Sequence, residues 1–251
     1  MFNEERQNYI LDKLNSNNRV SVAQLSTELD VSEVTIRKDL SFLEEKHLLK
    51  RTYGGAISIE PHVLDQAIEE KSEKNIALKS QIVDRASTFL TDGLNIFLDA
   101  GTTIQALIPK LYSLTDISVI TYDLEIAYKL SKYENINLYI LGGYVDHKTR
   151  TSLSLAGFED LCNVHADISF IGTDAFDENY VYSTNENKAK VKNRMIVNSS
   201  QSILLTDSSK FQKKGLYSFY TCQDFDYIIT DSNNKKLNDY ISSANLVNFI
   251  Q

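Results

Sequence analysis

Beyond residue 90 the chain carries six short apolar runs: NIFLD (95–99), ISVIT (117–121), NLYIL (137–141), DISFI (167–171), SILLT (202–206) and DYIIT (226–230). Helical spacing marks segments between them, such as TIQALIPKL, LEIAYKLSKY and KAKVKNRMIVNSS. A strand that is apolar throughout must be covered on both faces, whereas a half-solvated strand alternates. Strand–helix alternation with strands of this kind predicts an α/β unit on a mostly parallel sheet. At 42% hydrophobic and 24% charged residues, the 251-residue chain has material for such a core.

The residues at the carboxyl end of each run carry a second signal. Four runs lead into small or polar residues: DAGTT (99–103), TYD (121–123), GG (142–143) and GTD (172–174), and SILLT leads into DSSK (207–210). In an open parallel sheet, ligands bind outside the carboxyl ends of the strands, so these stretches are expected to line one crevice. Gly101-Thr102-Thr103, opening a helix, offers backbone N–H groups and two hydroxyls suited to a phosphate. Lys192 and Lys210 would supply countercharge. With Asp99, Thr121, Gly142 and Asp174 they make up the candidate ligand set. Each piece alone has a plainer meaning: G-T-T as a tight turn, Asp99 as a helix cap, either lysine as a solvated side chain. Several such loops at one sheet edge favour a site.

The first 57 residues read differently. The chain is acidic overall, with 26 Lys plus Arg against 34 Asp plus Glu, but Arg37 to Tyr53 holds 5 basic and 3 acidic residues. Three helices are expected there. The first, Asn3 to Ser16, ends in the polar turn NSNNR. The second comes after a capping box, Ser21 and Gln24. The third starts after Ser32, a good N-cap, and carries Ile36, Leu40 and Leu43 on one stripe. Its other face bears Ser32, Glu33, Thr35, Arg37, Lys38 and Ser41. Leu48 to Ile57 alternates up to Gly54-Gly55, which reads as a small hairpin. Two short helices, a three-residue turn and a basic outer face describe a helix-turn-helix. That third helix is expected in the major groove, with Arg51 and Tyr53 of the hairpin meeting the backbone or minor groove. LSFLEEKHLLK alone could be an amphipathic helix with a solvated face. The capped helices, short turn and basic hairpin together point to DNA.

VSEVTIRKDLSFLEEKHLLKRTYGGA (31–56) resembles the winged helix of DeoR-type repressors, with Lys38 in a usual Arg position, His47 in place of Gly and Tyr53 in place of His. Lysine for arginine loses bidentate guanine recognition. IFLDAGTT, ILGG, DISFIGTDAF and LLTDSSKF are similar to the effector domain of the same regulators. There Thr121-Tyr122-Asp123 departs from the usual Thr-Asn, and FDENYVYSTNE lacks a common glycine. The resemblance implies a fold similar to ribose-5-phosphate isomerase, a phosphorylated-sugar effector and no cofactor. The expected organisation is a winged helix-turn-helix over 1–57, a linker-helix region over 58–90 with Pro61 at its boundary, and an effector domain over 91–251. Ile76, Val83, Ala86 and Leu90 are the expected buried positions of the linker helices.

The N-terminus lacks an apolar secretory region, and no run reaches the ~18 residues of a membrane span, so the cytoplasm is expected. Cys162 and Cys222 sit in no metal-ligand spacing and are expected as reduced thiols. The expected assembly is a homodimer or homotetramer on a near-palindromic double-stranded operator. One rival is an isomerase-like enzyme with an added N-terminal domain, working through Asp99, Asp174, Glu186 and Lys210; it rests on fold analogy, and no histidine pairs catalytically. A DNA-binding protein without small-molecule control is the other, against which the sheet-edge loops weigh.

Overall fold

A computed structural model describes residues 3–17, 19–46, 48–58, 67–244 and 248–251. Two compact units emerge, residues 1–64 with 213–216, and residues 65–212 with 217–251. Pro61 and His47 lie outside the described residues.

The first unit runs α1 (Asn3–Asn17), β1 (Arg19–Ser21), α2 (Val22–Leu29), α3 (Glu33–Glu45), β2 (Lys50–Thr52) and β3 (Gly55–Ile57). Ile36, Leu40 and Leu43 are fully buried, as their spacing predicts, against Ile10, Leu14 and Leu25. Asp30 closes α2 in the left-handed region (φ 50°), and the Ser32 hydroxyl accepts the Thr35 N–H at 3.2 Å to open α3. The turn between the two helices is thereby capped on both sides.

Two expectations change here. Ser21 stands at the N-cap of α2, but its side chain makes no capping bond. Its backbone instead sits in a ladder, Ser21 opposite Gly55, so the S-x-x-Q box does not form. Of the polar stretch NSNNR, Asn15 to Asn17 still belong to α1 and Arg19 opens β1, which adds a third strand to the hairpin in the order β1-β3-β2. Gly55 makes this possible: a Cβ there would stand 1.8 Å from the Val20 carbonyl oxygen.

The second unit begins with α4 (Ile68–Glu73) and α5 (Ile76–Ala86), followed by β4 (Asn95–Leu98), α6 (Thr102–Gln105), α7 (Ile108–Leu111), β5 (Ile117–Thr121), α8 (Leu124–Leu130) and β6 (Ile136–Ile140). After a hairpin, β7 (Tyr144–Asp146) and β8 (Thr151–Leu153), come α9 (Leu155–Cys162), β9 (Ala166–Gly172), β10 (Ala175–Phe176), β11 (Tyr180–Ser183), α10 (Glu186–Val197) and β12 (Ser199–Leu205). The remainder is β13 (Tyr217–Thr221), β14 (Tyr227–Ile229), α11 (Lys235–Ser243) and β15 (Phe249–Ile250).

All six apolar runs become strands of one seven-stranded sheet, ordered β15-β14-β12-β9-β4-β5-β6, in which every described pairing is parallel. Side chains alternate between two cores. Ile96, Leu98, Val119, Phe170 and Ile203 face α5, α6, α7 and α8, while Phe97, Ile120, Ile171 and Leu204 face α10 and α11. The chain winds outward from β4 through β5 to β6, then crosses back to β9 and winds the other way. That reversal opens a crevice between the carboxyl ends of β4 and β9.

TIQALIPKL forms two short helices, because Pro109 has no N–H to continue the first and is accepted in the opening turn of the second. Ile76 is 65% exposed, contrary to expectation, and Leu90 is half-buried. Ile76 overhangs the first turn of α5, and the buried stripe starts at Lys79 and continues through Ile82, Val83 and Ala86. From Ala67 onward the described part of the expected linker therefore belongs to the second unit, and α5 packs on its sheet.

Candidate functional site

In the first unit, the outer face of α3 presents Val34, Arg37, Lys38, Ser41, Phe42 and Glu45 around a shallow depression. Lys38 is exposed and has no polar partner among the described residues. Arg37 is exposed too, braced by Glu33 one turn back at 3.1 Å. Ser32 and Thr35 share a hydroxyl contact at 2.9 Å within the cap. Ser41 bonds back to the Arg37 carbonyl and accepts Arg51 Nη1 at 2.8 Å, while the Arg51 amide donates to Glu44 at 2.8 Å. Arg51 thus folds onto α3 and steadies it. Tyr53, at the hairpin tip, is fully exposed. Val34, 63% exposed, was not anticipated; an apolar side chain on such a face suits a thymine methyl. Beneath α3, Asp39 takes a forked ion pair from Arg6 of α1, at 2.5 and 3.0 Å, so the helix is keyed to the helix behind it.

The second unit holds a small cleft of about 60 Å³ lined by Lys71, Ala100 to Ile104, Gly172 to Asp174, Lys192 and Lys210. It lies at the β4–β9 reversal. Asp99, fully buried, accepts the Tyr122 hydroxyl, the Gly172 N–H at 2.7 Å and the Lys192 ammonium, which also donates to the Gly172 carbonyl at 3.0 Å. Lys210 donates to the Thr173 carbonyl at 2.6 Å. Asp174 bonds Lys71 at 2.9 Å and takes the amide and hydroxyl of Thr184, each at 3.2 Å. The lining therefore carries three ammonium groups and one carboxylate. Burial pushes the Lys210 ammonium below the ordinary lysine range, and Lys71 and Lys192 add to the shift against Asp207 and Asp174. Burial works against the Asp174 charge, but Lys71, Lys192 and Lys210 outweigh it and hold the carboxyl well below its usual range. Such a pocket favours an anion, which relieves the mutual repulsion of its cations.

Gly101 turns the chain at φ 119°, a value side-chain-bearing residues rarely adopt, and its N–H already donates to Asp123 at 3.1 Å. Asp123 also bonds Gln105 and caps α8 through the amides of Glu125 and Ile126. Burial raises its carboxyl above the usual range despite these donors. Its role is to fix the Gly101 turn. Of the expected ligand set, Gly101, Thr102, Thr103, Asp174, Lys192 and Lys210 line the cleft, and Asp99 stands behind it as the anchor of Lys192. Thr121 and Gly142 do not line it. The buried Thr121 hydroxyl accepts the Asp123 N–H at 3.1 Å, and the Gly142 carbonyl accepts Ser154 at 2.8 Å. Lys71 was missed: IEEKSEKN reads as a solvated charged helix and gives no sign that one lysine turns inward. Glu186, needed by the isomerase reading, is exposed and paired with Lys190.

Among the described residues no helix is long and apolar enough to cross a membrane, and no group of His, Cys, Asp or Glu could hold a metal. Two family profiles match the chain: the DeoR-like helix-turn-helix domain over residues 6–62, and the DeoR C terminal sensor domain over 74–232. The chain belongs to the DeoR family. It is 34% identical over 231 residues to the putative aga operon transcriptional repressor of Escherichia coli O157:H7, covering 90% of this chain and 86% of that protein. It is 35% identical over 231 residues to the HTH-type transcriptional repressor GlcR of Bacillus subtilis (strain 168), covering 92% and 89%. Among solved structures, ribose 5-phosphate isomerase A from Methanocaldococcus jannaschii is similar over 56% of each chain, with a TM-score of 0.41 and 22% identity. This DeoR-family chain is a DNA-binding transcriptional regulator and not an enzyme.

Proposed function

We propose that this DeoR-family protein is a sequence-specific repressor of a carbohydrate-metabolism operon, controlled by a phosphorylated sugar bound in the cleft. One observation carries the reading: Lys71, Lys192 and Lys210 converge on the Gly101–Thr103 turn with Asp174 as the sole carboxylate of the lining. A phosphate monoester suits three ammonium groups facing one turn, and Thr102 and Thr103 offer hydroxyls to it. The names of the aga operon repressor and GlcR support the operon and repressor parts.

On this reading the outer face of α3 enters the major groove, with Lys38 and Arg37 meeting base edges or phosphates and Tyr53 meeting the backbone beside it. Acting in the cytoplasm as a homodimer or homotetramer, the protein places two such faces about one helical turn apart on a near-palindromic operator. A ligand that binds the DNA-free form better weakens operator binding by linkage.

The test is a thermal-shift screen of sugar phosphates, with hits retested for displacement of operator DNA. Lys210→Ala is expected to leave operator affinity intact and to blunt displacement. Loss of operator binding in Lys210→Ala with normal ligand binding would reverse the assigned roles.

A further inference from the structure

Lys71 differs from the other two lysines of the cleft in what carries it. Lys192 projects from the twelve-residue α10, whose buried side includes Ala189, Val191, Met195 and Ile196. Lys210 comes just after β12, an interior strand of the sheet. Lys71 sits on α4, a six-residue helix with Ile68 as its one buried apolar side chain. A helix that short does not hold itself together in water. Its seat is otherwise polar. The Ile68 N–H donates to the Lys148 carbonyl at 3.2 Å, and Glu69 pairs with Arg150. The Lys71 carbonyl accepts Lys79 Nζ at 2.5 Å and the Thr102 hydroxyl at 3.4 Å, while its ammonium reaches Asp174 at 2.9 Å. Two of these attachments, to Thr102 and to Asp174, are made by groups of the cleft itself. In chain order α4 is also the first described element after the DNA-binding unit.

We propose that α4 is the element through which the cleft reports its occupancy, with Lys71 as the residue that switches partner. The proposal rests on the anion reading of the cleft above. A phosphate on the Gly101–Thr103 turn competes with Asp174 for the Lys71 ammonium and with the Lys71 carbonyl for the Thr102 hydroxyl. Asp174 does not move along with it, because Thr184 holds its other oxygen by two bonds. Lys192 and Lys210 stay fixed by the Gly172 and Thr173 carbonyls. Ligand charge is thus spread over three lysines, but only one of them moves its helix. Because ligand and resident contacts exclude one another, binding biases α4 between two seats, which is what coupling requires.

Hydrogen exchange on the full chain tests this, with inorganic phosphate and glucose 6-phosphate as probes and binding measured separately by calorimetry. At saturating probe, exchange at residues 68–73 is expected to rise at least threefold, with Ile117–Thr121 unchanged. Asp174→Asn should show the raised exchange without any probe. Lys71→Gln should bind phosphate about five- to twentyfold more weakly and show no further response at 68–73. Saturable binding to the wild type with no change at 68–73, or a normal response in Lys71→Gln, overturns the role of α4 and leaves the cleft reading standing. A wild-type protein that binds neither probe overturns both.

Discussion

Replacing Asp39 by alanine should strongly destabilise the DNA-reading unit while sparing the rest. Asp39 is 3% exposed and Arg6 9%, so the variant leaves a guanidinium inside the head without its anion. Arg6 keeps one bond, from Nη2 to Asn3 Oδ1 at 2.7 Å, which is neutral and part-buried. Breaking a buried pair from one side costs about 3–5 kcal/mol, because the remaining charge is uncompensated. A unit of this size is stable by roughly 3–9 kcal/mol at the usual stability per residue. The substitution therefore removes a third or more of that stability, and at the lower end all of it. Urea titration should show an early transition absent from the wild type, and operator binding by fluorescence anisotropy should fall with it. Phosphate binding to the second unit should persist. Arg6→Met combined with Asp39→Leu takes both charges out and should recover most of the loss, since well-packed apolar pairs replace buried ion pairs at little cost. A destabilisation within about 1 kcal/mol for Asp39→Ala, or a double variant as unstable as the single one, would refute the view that this pair keys α3 to α1.

Lys38→Ala should weaken operator binding by about 1–3 kcal/mol, measured by anisotropy, and wild-type affinity should drop as salt rises; affinity unchanged from low to physiological salt would contradict a phosphate-contacting face. Because burial holds Lys210 below the ordinary lysine value, a bound anion raises it, and effector binding at alkaline pH should take up protons. Calorimetry in buffers of differing ionisation enthalpy reads that uptake, which Lys210→Met should abolish. The same depressed value means the unfolded chain holds this proton more tightly. Stability from Lys210 accordingly rises with pH across the window between its lowered folded value and about 10.4.

The central sheet was legible because apolar runs in a doubly covered parallel sheet carry their own signature, and all six appear where the sequence places them. Short elements were not. β1 is three residues in a polar stretch, and its pairing depends on a glycine 34 positions later. β10 and the neighbouring β11 form an antiparallel sheet with β13, which follows β11 by more than 30 residues, and β7 pairs with the neighbouring β8. Their partners, not their own periodicity, make them strands. At the cleft, Gly101 to Thr103, Lys192 and Lys210 could be anticipated because they succeed or face strand ends. Thr121 and Gly142 misled for the same reason: both stand at strand ends, yet β5 and β6 lie on the far side of β4 from the β9 crevice. Lys71 comes from a polar helix whose inward turn is set by tertiary contacts alone.

Asp99 has a longer consequence. One carboxylate ties the β5 tyrosine, the β9 backbone and the α10 lysine at a single buried point. A lineage that changed it would strand an ammonium in the protein interior and loosen three strand ends at once.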